Sequence, residues 1–339
     1  MRRLLRWLAI ALFVAVCALV WLARRLPHVP ATPAAVIPAL NQNAVPIVTD
    51  DPAADDHDME PLLTVLRNHS IVALGEATHG TREFFRLKDR ILRALVRHAG
   101  FKTFALEISP EAGQIVDRYV RHGEGDPKDA LRHFEFWTWK TQEVLELVQW
   151  MRAWNVQHPA AEMLSFVGIN SVADARDLMM AKNVEQAWQA AGRDRRMVVW
   201  AHNDHVATDS EHMGGYLRRS FGGSLYVVGF EFSEGCFRSR NLMTLRTHCV
   251  KSAGPEYYAS SFASLSNPIV FLDFKQAAQI PVLAQWLGWQ RLSRDIDELF
   301  YVSQFSERWY SRWAAWPELY DGIIFVRSTT PAHGLSGNP

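Results

Sequence analysis

The sequence predicts an α/β fold, with a mainly parallel sheet flanked by helices. Three observations carry this. Seven short apolar runs, at 71–74, 103–106, 164–168, 197–201, 225–230, 269–272 and 323–326, have the length and composition of buried strands. Helical periodicity fills the intervals at 81–98, 110–121, 141–156, 172–191 and 211–220. Six runs in succession end on a polar residue: Glu76, Glu107, Asn170, His202, Glu231 and Asp273. In an open parallel sheet the C-terminal strand ends gather along one edge, where ligands bind.

Taken in order, residues 1–25 stand apart. Trp7–Ala23 carries no charge; Arg2, Arg3 and Arg6 precede it, and Arg24 and Arg25 follow. That pattern predicts a signal anchor or transmembrane segment. The heavier basic flank lies before the run, which favours a periplasmic or otherwise extracytoplasmic domain tethered to a membrane. Residues 26–46, rich in Pro and Ala, read as a linker. Residues 47–333 form the α/β domain, and 334–339 read as a flexible tail.

A hydrophobic content of 48% with 21% charged residues excludes a disordered chain. The formal net charge is +0, but without the five arginines of residues 1–25 the rest holds 31 basic against 36 acidic residues. No basic patch stands out, so no nucleic-acid partner is expected. Cys236 and Cys249 lie 13 apart and are equally compatible with a disulfide and with two separate buried thiols.

The chemistry concentrates in Gly75-Glu76-Ala77-Thr78-His79-Gly80, between an apolar run and a helical pattern, and in Trp200-Ala201-His202-Asn203-Asp204-His205. A carboxylate bonded to an imidazole fixes its tautomer and raises its basicity, which suits proton abstraction from water. His79 is therefore the candidate base, with Glu76 or Glu107 as its partner. His202 and His205 are candidates to bind substrate or protonate a leaving group. Lys88 is a candidate electrostatic helper, although its spacing alone reads as a solvated helix position. Asn203, Glu231 and Asn170 are assigned to substrate binding. There is no Gly-x-Ser-x-Gly, so water rather than a serine is the expected nucleophile. No coenzyme motif is visible and no cofactor is expected. Two His and two Glu at strand ends would also suit zinc or manganese, so a metal-dependent hydrolase or peptidase is the rival reading. A non-catalytic envelope or exopolysaccharide-associated binding protein is the third.

Two segments are rich in tryptophan, 133–150 and 286–316. Trp309, Trp313 and Trp316 have helical spacing. They predict a helical cap over the crevice, with core packing as the alternative.

The ordered motifs resemble the erythromycin esterase family. They run from Gly75–Gly80 and Glu83-Phe84-Phe85 with Lys88 and Arg90, through Leu106-Glu107 and Trp200–Val206. They continue through Met213–Leu217, Val228–Gly235 and Tyr320–Phe325 to Thr329-Thr330-Pro331. The resemblance implies a hydrolase that opens macrolide lactones with a histidine-activated water. It places that histidine at His79, its acidic neighbours at Glu76 and Glu107, its basic helix residue at Lys88, and its second histidine group at His202 and His205. It implies a small-molecule ester or lactone substrate. One departure is the third strand, which ends Gly168-Ile169-Asn170 where many relatives carry an aspartate; an amide is neither a base nor a strong cation ligand.

Overall fold

A computed structural model describes residues 29–192, 196–241, 244–301 and 307–335. The expected anchor at residues 1–25 lies outside the described residues. Among those described, no helix is long and apolar enough to cross a membrane. The boundary between two compact units falls between Ala31 and Thr32, and everything below concerns the second.

The chain begins with α1 (Val36–Asn43), β1 (Val45–Pro46) and α2 (Glu60–Leu66). Next come β2 (Ile71–Leu74), α3 (Arg82–Ala99), β3 (Phe101–Leu106), α4 (Pro110–His122), α5 (Pro127–Arg132) and α6 (Gln142–Gln157). Then follow β4 (Ser165–Gly168), α7 (Arg176–Ala191), β5 (Arg196–Trp200), α8 (Asn203–Val206) and α9 (Met213–Phe221). The long β6 (Leu225–Asn241) precedes β7 (Thr244–Val250), α10 (Tyr258–Ala263), β8 (Ile269–Asp273), α11 (Phe274–Ala277) and α12 (Pro281–Leu287). The short β9 (Arg291–Arg294) and β10 (Ser311–Ala314) pair with each other, and β11 (Gly322–Thr329) ends the sequence of elements.

The large sheet has the order β1-β8-β11-β6-β2-β5-β3-β4, with β7 on the far end of β6. From β11 to β4 every neighbouring pair is parallel. Strands buried on both faces read as continuous apolar runs, which is why they are legible in the sequence. The alternation is still visible in packing. Val72, Leu74, Val198 and Trp200 face the core shared with α3, α4 and α6. Ile71, Ala73, Met197 and Val199 face the core shared with α1, α7, α9 and α10.

Five expectations are corrected. The stretch 26–46 is not a linker throughout: Val36 and Leu40 of α1 are fully buried, and Val45 and Pro46 pair with β8. Spacing of four residues puts both apolar side chains on one helical face, which outweighs the Pro/Ala composition. In the expected tail, Gly334 bridges to Thr141 and Leu335 is buried; residues 336–339 lie outside the described set. Asp273 does not join the other strand ends. Its strand runs antiparallel to β11, so it lies at the opposite edge, where it accepts a hydrogen bond from Tyr226. Glu231 does not end its strand, because β6 continues to Asn241 along β11 and β7. The second tryptophan segment is not a helix: Trp309 lies in a 3-10 turn, Trp313 in β10 and Trp316 in another 3-10 turn. Trp286 and Trp316 are core residues, while Trp309 is exposed.

Candidate active site

Three adjacent strands, β2, β5 and β3, end side by side and their turns are laced together. Gly75 follows β2 directly, and a Cβ there would lie 2.2 Å from Asn203 Oδ1, so glycine is required by the close approach. Asn203 N–H donates to Glu76 O (2.9 Å), and Glu107 N–H donates to Trp200 O (3.1 Å). Further on, Gly80 packs so tightly on β6 that a Cβ would meet Arg238 O at 1.9 Å. The Glu76–Gly80 turn is thus pinned between neighbouring strands before any side chain is considered.

Glu76 is completely buried and surrounded by donors. Its Oε1 holds His79 Nδ1 at 2.7 Å. Its Oε2 accepts Trp200 Nε1 at 2.8 Å and the Lys88 ammonium. Burial pushes Glu76 toward the neutral acid, but Lys88 and then His79 outweigh it and hold its carboxyl below the ordinary range. Lys88 is also fully buried, 4.2 Å from the centre of a Trp200 ring. It shares the stripe Phe84, Ile91 and Leu95 on α3, so the sequence did place it inward. Burial lowers the ammonium to about 8, against the opposing pull of Glu76.

His79 turns its other nitrogen outward. Nε2 meets Asp297 Oδ1 at 3.2 Å. Burial disfavours the imidazolium, but Asp297 and Glu76 together raise its pKa to about 10. The ring packs edge-on against Trp139, with centroids 5.5 Å apart, and tilts over His202 at 4.8 Å. His202 stays neutral because burial, then the charge of His79, lower its pKa. Asp204 N–H donates to its Nδ1 (3.4 Å), leaving Nε2–H for Ile296 O (3.3 Å).

Glu107 serves a second, parallel network. Arg176 donates to its Oε1 at 2.7 Å, His205 Nε2 lies 3.3 Å from the same oxygen, and His202 N–H donates to Oε2 at 2.9 Å. Burial works against its charge, but His205 and then His79 and Arg176 hold the carboxyl far below the usual range. His205 is itself raised to about 10, against burial, by Glu107 and Asp177. Glu76, not Glu107, is therefore the carboxylate bonded to His79. Glu107 acts on it through space. His205 sits behind Glu107 with both ring nitrogens occupied.

The remaining assigned residues are placed as follows. Asn170 Oδ1 accepts Arg176 Nε at 2.9 Å and orients that guanidinium. Asn203 uses its amide on Phe230: Nδ2 donates to its O (2.7 Å) and Oδ1 accepts its N–H (3.1 Å). Glu231 accepts the backbone N–H groups of Phe232 (2.9 Å) and Arg294 (2.8 Å). Asn203 and Glu231 thus brace the site from below, and Glu231 anchors β9, which leads into Asp297.

Sequence reasoning missed Asp297 and Arg176, and placed Trp139 only as part of a segment expected to cover the crevice. They line the cavity above His79 together with Glu107, Phe136, Thr138 and Glu298. Asp297 follows β9, whose Arg291–Arg294 sequence holds a single apolar residue, Leu292, and so lacks the apolar run that marked the other strands. Trp139 came from the first tryptophan segment, which does cover the site. The cavity is about 70 Å³, room for a water or two at about 30 Å³ each. Larger clefts lie elsewhere, among them one of about 570 Å³ beside β4 and one of about 860 Å³ at the opposite sheet edge near Tyr226 and Asp273. Neither contains His79.

One group of candidate metal donors exists among the described residues: His202, Asp204 and Asp295, with one donor atom each inside a 4.8 Å span. Most of its atoms are otherwise engaged, but Asp295 Oδ1 is buried without a hydrogen-bond partner, 3.5 Å from His202 Nδ1. Arg312 bonds to Asp204 at 2.7 Å, and both nitrogens of His202 are hydrogen-bonded. Burial and the nearby Asp204 push Asp295 well above the ordinary carboxylate range. The Arg312 guanidinium already seated on Asp204 would compete with a cation for that carboxylate.

The profile of the erythromycin esterase family matches residues 96–171 and 169–329, most of the chain. The chain belongs to the erythromycin esterase family. It is similar to erythromycin esterase type II of Escherichia coli, with 32% identity over 129 residues, 37% of this chain. That match spans 29% of the Escherichia coli protein, well under two thirds of its length. The fold is shared with a Bacillus cereus protein (TM-score 0.78, 19% identity, 89% of this chain and 99% of that one). It is shared with a succinoglycan biosynthesis protein (TM-score 0.78, 17% identity, 88% and 98%). A mutant of the erythromycin esterase EreC in its open conformation has the same fold (TM-score 0.65, 11% identity, 87% and 99%). This member of the erythromycin esterase family therefore has the family's fold around a buried Glu76–His79 pair.

Proposed function

We propose that the chain is a hydrolase that adds water to an ester or lactone, with His79 as general base. The family supports hydrolytic chemistry. The observation that carries the finer reading is the orientation of His79: Nδ1–H is held by the buried Glu76 while Nε2 faces a small cavity. With Asp297 turned away, the ring loses the strongest of the interactions that hold its second proton, and once Nε2 has released that proton it can take one from a water beside the carbonyl carbon. Glu76 fixes the tautomer and stabilises the imidazolium that forms. Lys88 and Trp200 keep Glu76 anionic. Arg176, oriented by Asn170 and Glu107, is the cation available to the developing oxyanion. His202 packs beside the base as a neutral ring, and Trp139 and Phe136 supply an apolar wall. The 70 Å³ cavity has room for the attacking water at Nε2, with the bulk of a large substrate outside it.

The Cys236–Cys249 disulfide supports an extracytoplasmic location, since such bonds persist in oxidising compartments.

The test is hydrolysis by the purified full chain across macrolides and simpler esters and lactones, read by mass spectrometry. A product one water heavier is expected, absent in His79→Ala, which keeps its circular dichroism spectrum. A folded His79→Ala protein with wild-type rates refutes the assignment. Activity lost to a chelator and restored by manganese or zinc would transfer the reading to a metal-dependent hydrolase.

A further inference from the structure

The outward face of His79 is not open. Asp297 closes it, and the manner of closure is informative. Its carboxylate contacts His79 Nε2 at 3.2 Å and accepts the backbone N–H of Glu298 at 2.7 Å. The side chain is 77% exposed although the imidazole it touches is buried. The backbone on both sides is fixed. Ile296 N–H donates to Ala77 O (2.8 Å), Glu298 O accepts Arg240 N–H (3.0 Å), and Phe300 N–H donates to Arg240 O (2.8 Å). Ser239 Oγ donates to the same Glu298 carbonyl at 2.8 Å. Asp297 therefore leaves Nε2 by rotating its own side chain, with no loop movement. Such exposed rotamer changes take picoseconds to nanoseconds.

We propose that His79 Nε2, in the cavity that Arg176 also lines, is a carboxylate-binding site, and that Asp297 fills it as an internal mimic of the product. This rests on the ester-hydrolase reading above. Hydrolysis breaks the acyl C–O bond. The water oxygen joins the acyl carbon, one of its protons goes to the leaving alkoxide by way of His79, and the other passes from the new acid to His79 Nε2, which leaves a carboxylate beside an imidazolium. That carboxylate is formed where the attacking water stood, beside Nε2. Asp297 competes for the same nitrogen, so its return displaces the product and resets the site. Glu76 does not play this role: it is fully buried, fixed by Lys88 and Trp200, and sits on the other nitrogen. An ion pair with one partner in solvent is weak enough to be exchanged.

The experiment measures binding of acetate to the full chain, without turnover, by following the His79 ring resonances in nuclear magnetic resonance. At about pH 6, below the ordinary histidine value, the ring is charged. Asp297→Ala is expected to bind acetate about tenfold more tightly than wild type, a modest gain because the removed carboxylate is exposed. Asp297→Asn, which keeps the shape and loses the charge, should fall between the two. His79→Ala/Asp297→Ala should lose the gain. Whatever hydrolysis Asp297→Ala retains should be inhibited by lower acetate concentrations than wild type. Equal acetate affinity in wild type and both single variants overturns the proposal, as does Asp297→Ala that is folded yet as inactive as His79→Ala. Tighter acetate binding in a protein that hydrolyses no ester leaves the site standing and removes the enzymatic reading; hydrolysis without any change in acetate binding does the reverse.

Discussion

Replacing Glu76 by Gln removes one charge from the centre of the site and leaves its shape. In the native protein that charge faces the Lys88 ammonium, and both side chains are fully buried. Removing one partner of a buried ion pair strands the other and costs about 3–5 kcal/mol. The lower end applies here. Lys88 is already pulled down to about 8 by burial, so it can escape the penalty by losing its proton. A loss of about 3 kcal/mol in a domain of this size lowers the thermal midpoint by roughly 5 °C. The same substitution weakens the grip on His79 Nδ1, and loss of an orienting carboxylate beside a catalytic imidazole costs about 10²–10⁴ in rate. The assay pairs differential scanning calorimetry with turnover of whichever ester the substrate screen identifies. Lys88→Met combined with Glu76→Gln removes the stranded cation. It should regain part of the stability while regaining none of the activity. A Glu76→Gln midpoint within about 1 °C of wild type, or a double variant no more stable than the single, refutes the claim that this charge pair holds the turn.

Two further outcomes follow from the same groups and from the hairpin behind them. His79 and His205 are each held to about 10, against burial, by their carboxylates, so the folded state retains both protons more tightly than the unfolded chain. Their contribution is complete below the ordinary value of 6.5 and is lost as pH climbs through about 10. Glu231, raised to about 8 by burial, adds a loss that is complete by that point; Lys88, lowered to about 8 by burial, opposes with a gain between there and its ordinary 10.5. The thermal midpoint should therefore fall between pH 6.5 and 10, and a flat or rising profile contradicts the two histidine assignments. Separately, the Cys236–Cys249 bond closes a loop with a sequence separation of 13, worth about 3 kcal/mol. Calorimetry with and without a reductant should show a lower midpoint in the reduced protein; coincident curves argue that the hairpin is held by its strand pairing alone.

How much of this was legible depends on the range over which each feature is encoded. The parallel strands inside the sheet are buried on both faces, so each had to be an apolar run whatever its neighbours were, while edge strand β4 is half-buried on one face. β9 and β10 belong to a small separate sheet, and β1 is two residues long; such strands leave little mark. Glu76 and His79 share one turn, so their bond over three residues was readable locally. Lys88 was under-read, although its place on the Phe84–Ile91–Leu95 stripe was open to inspection.

What the sequence alone determined is the alternation of buried strands and helices, the strand ends carrying Glu76, Glu107 and His202, and the family. The tertiary structure decided which of these touch. Glu76 rather than Glu107 reaches His79, because β2 lies between β6 and β5 and the pair sits in a single turn, while Glu107 faces Arg176 and His205 across β3. It also brought Asp297 to His79 from 218 positions away in the chain. No local pattern encodes that meeting: it depends on β6 running past the sheet to hold Gly80 on one side and Glu298 on the other. Contacts set by local periodicity can be read from a sequence, whereas contacts set by how a sheet closes over its own turns need the fold.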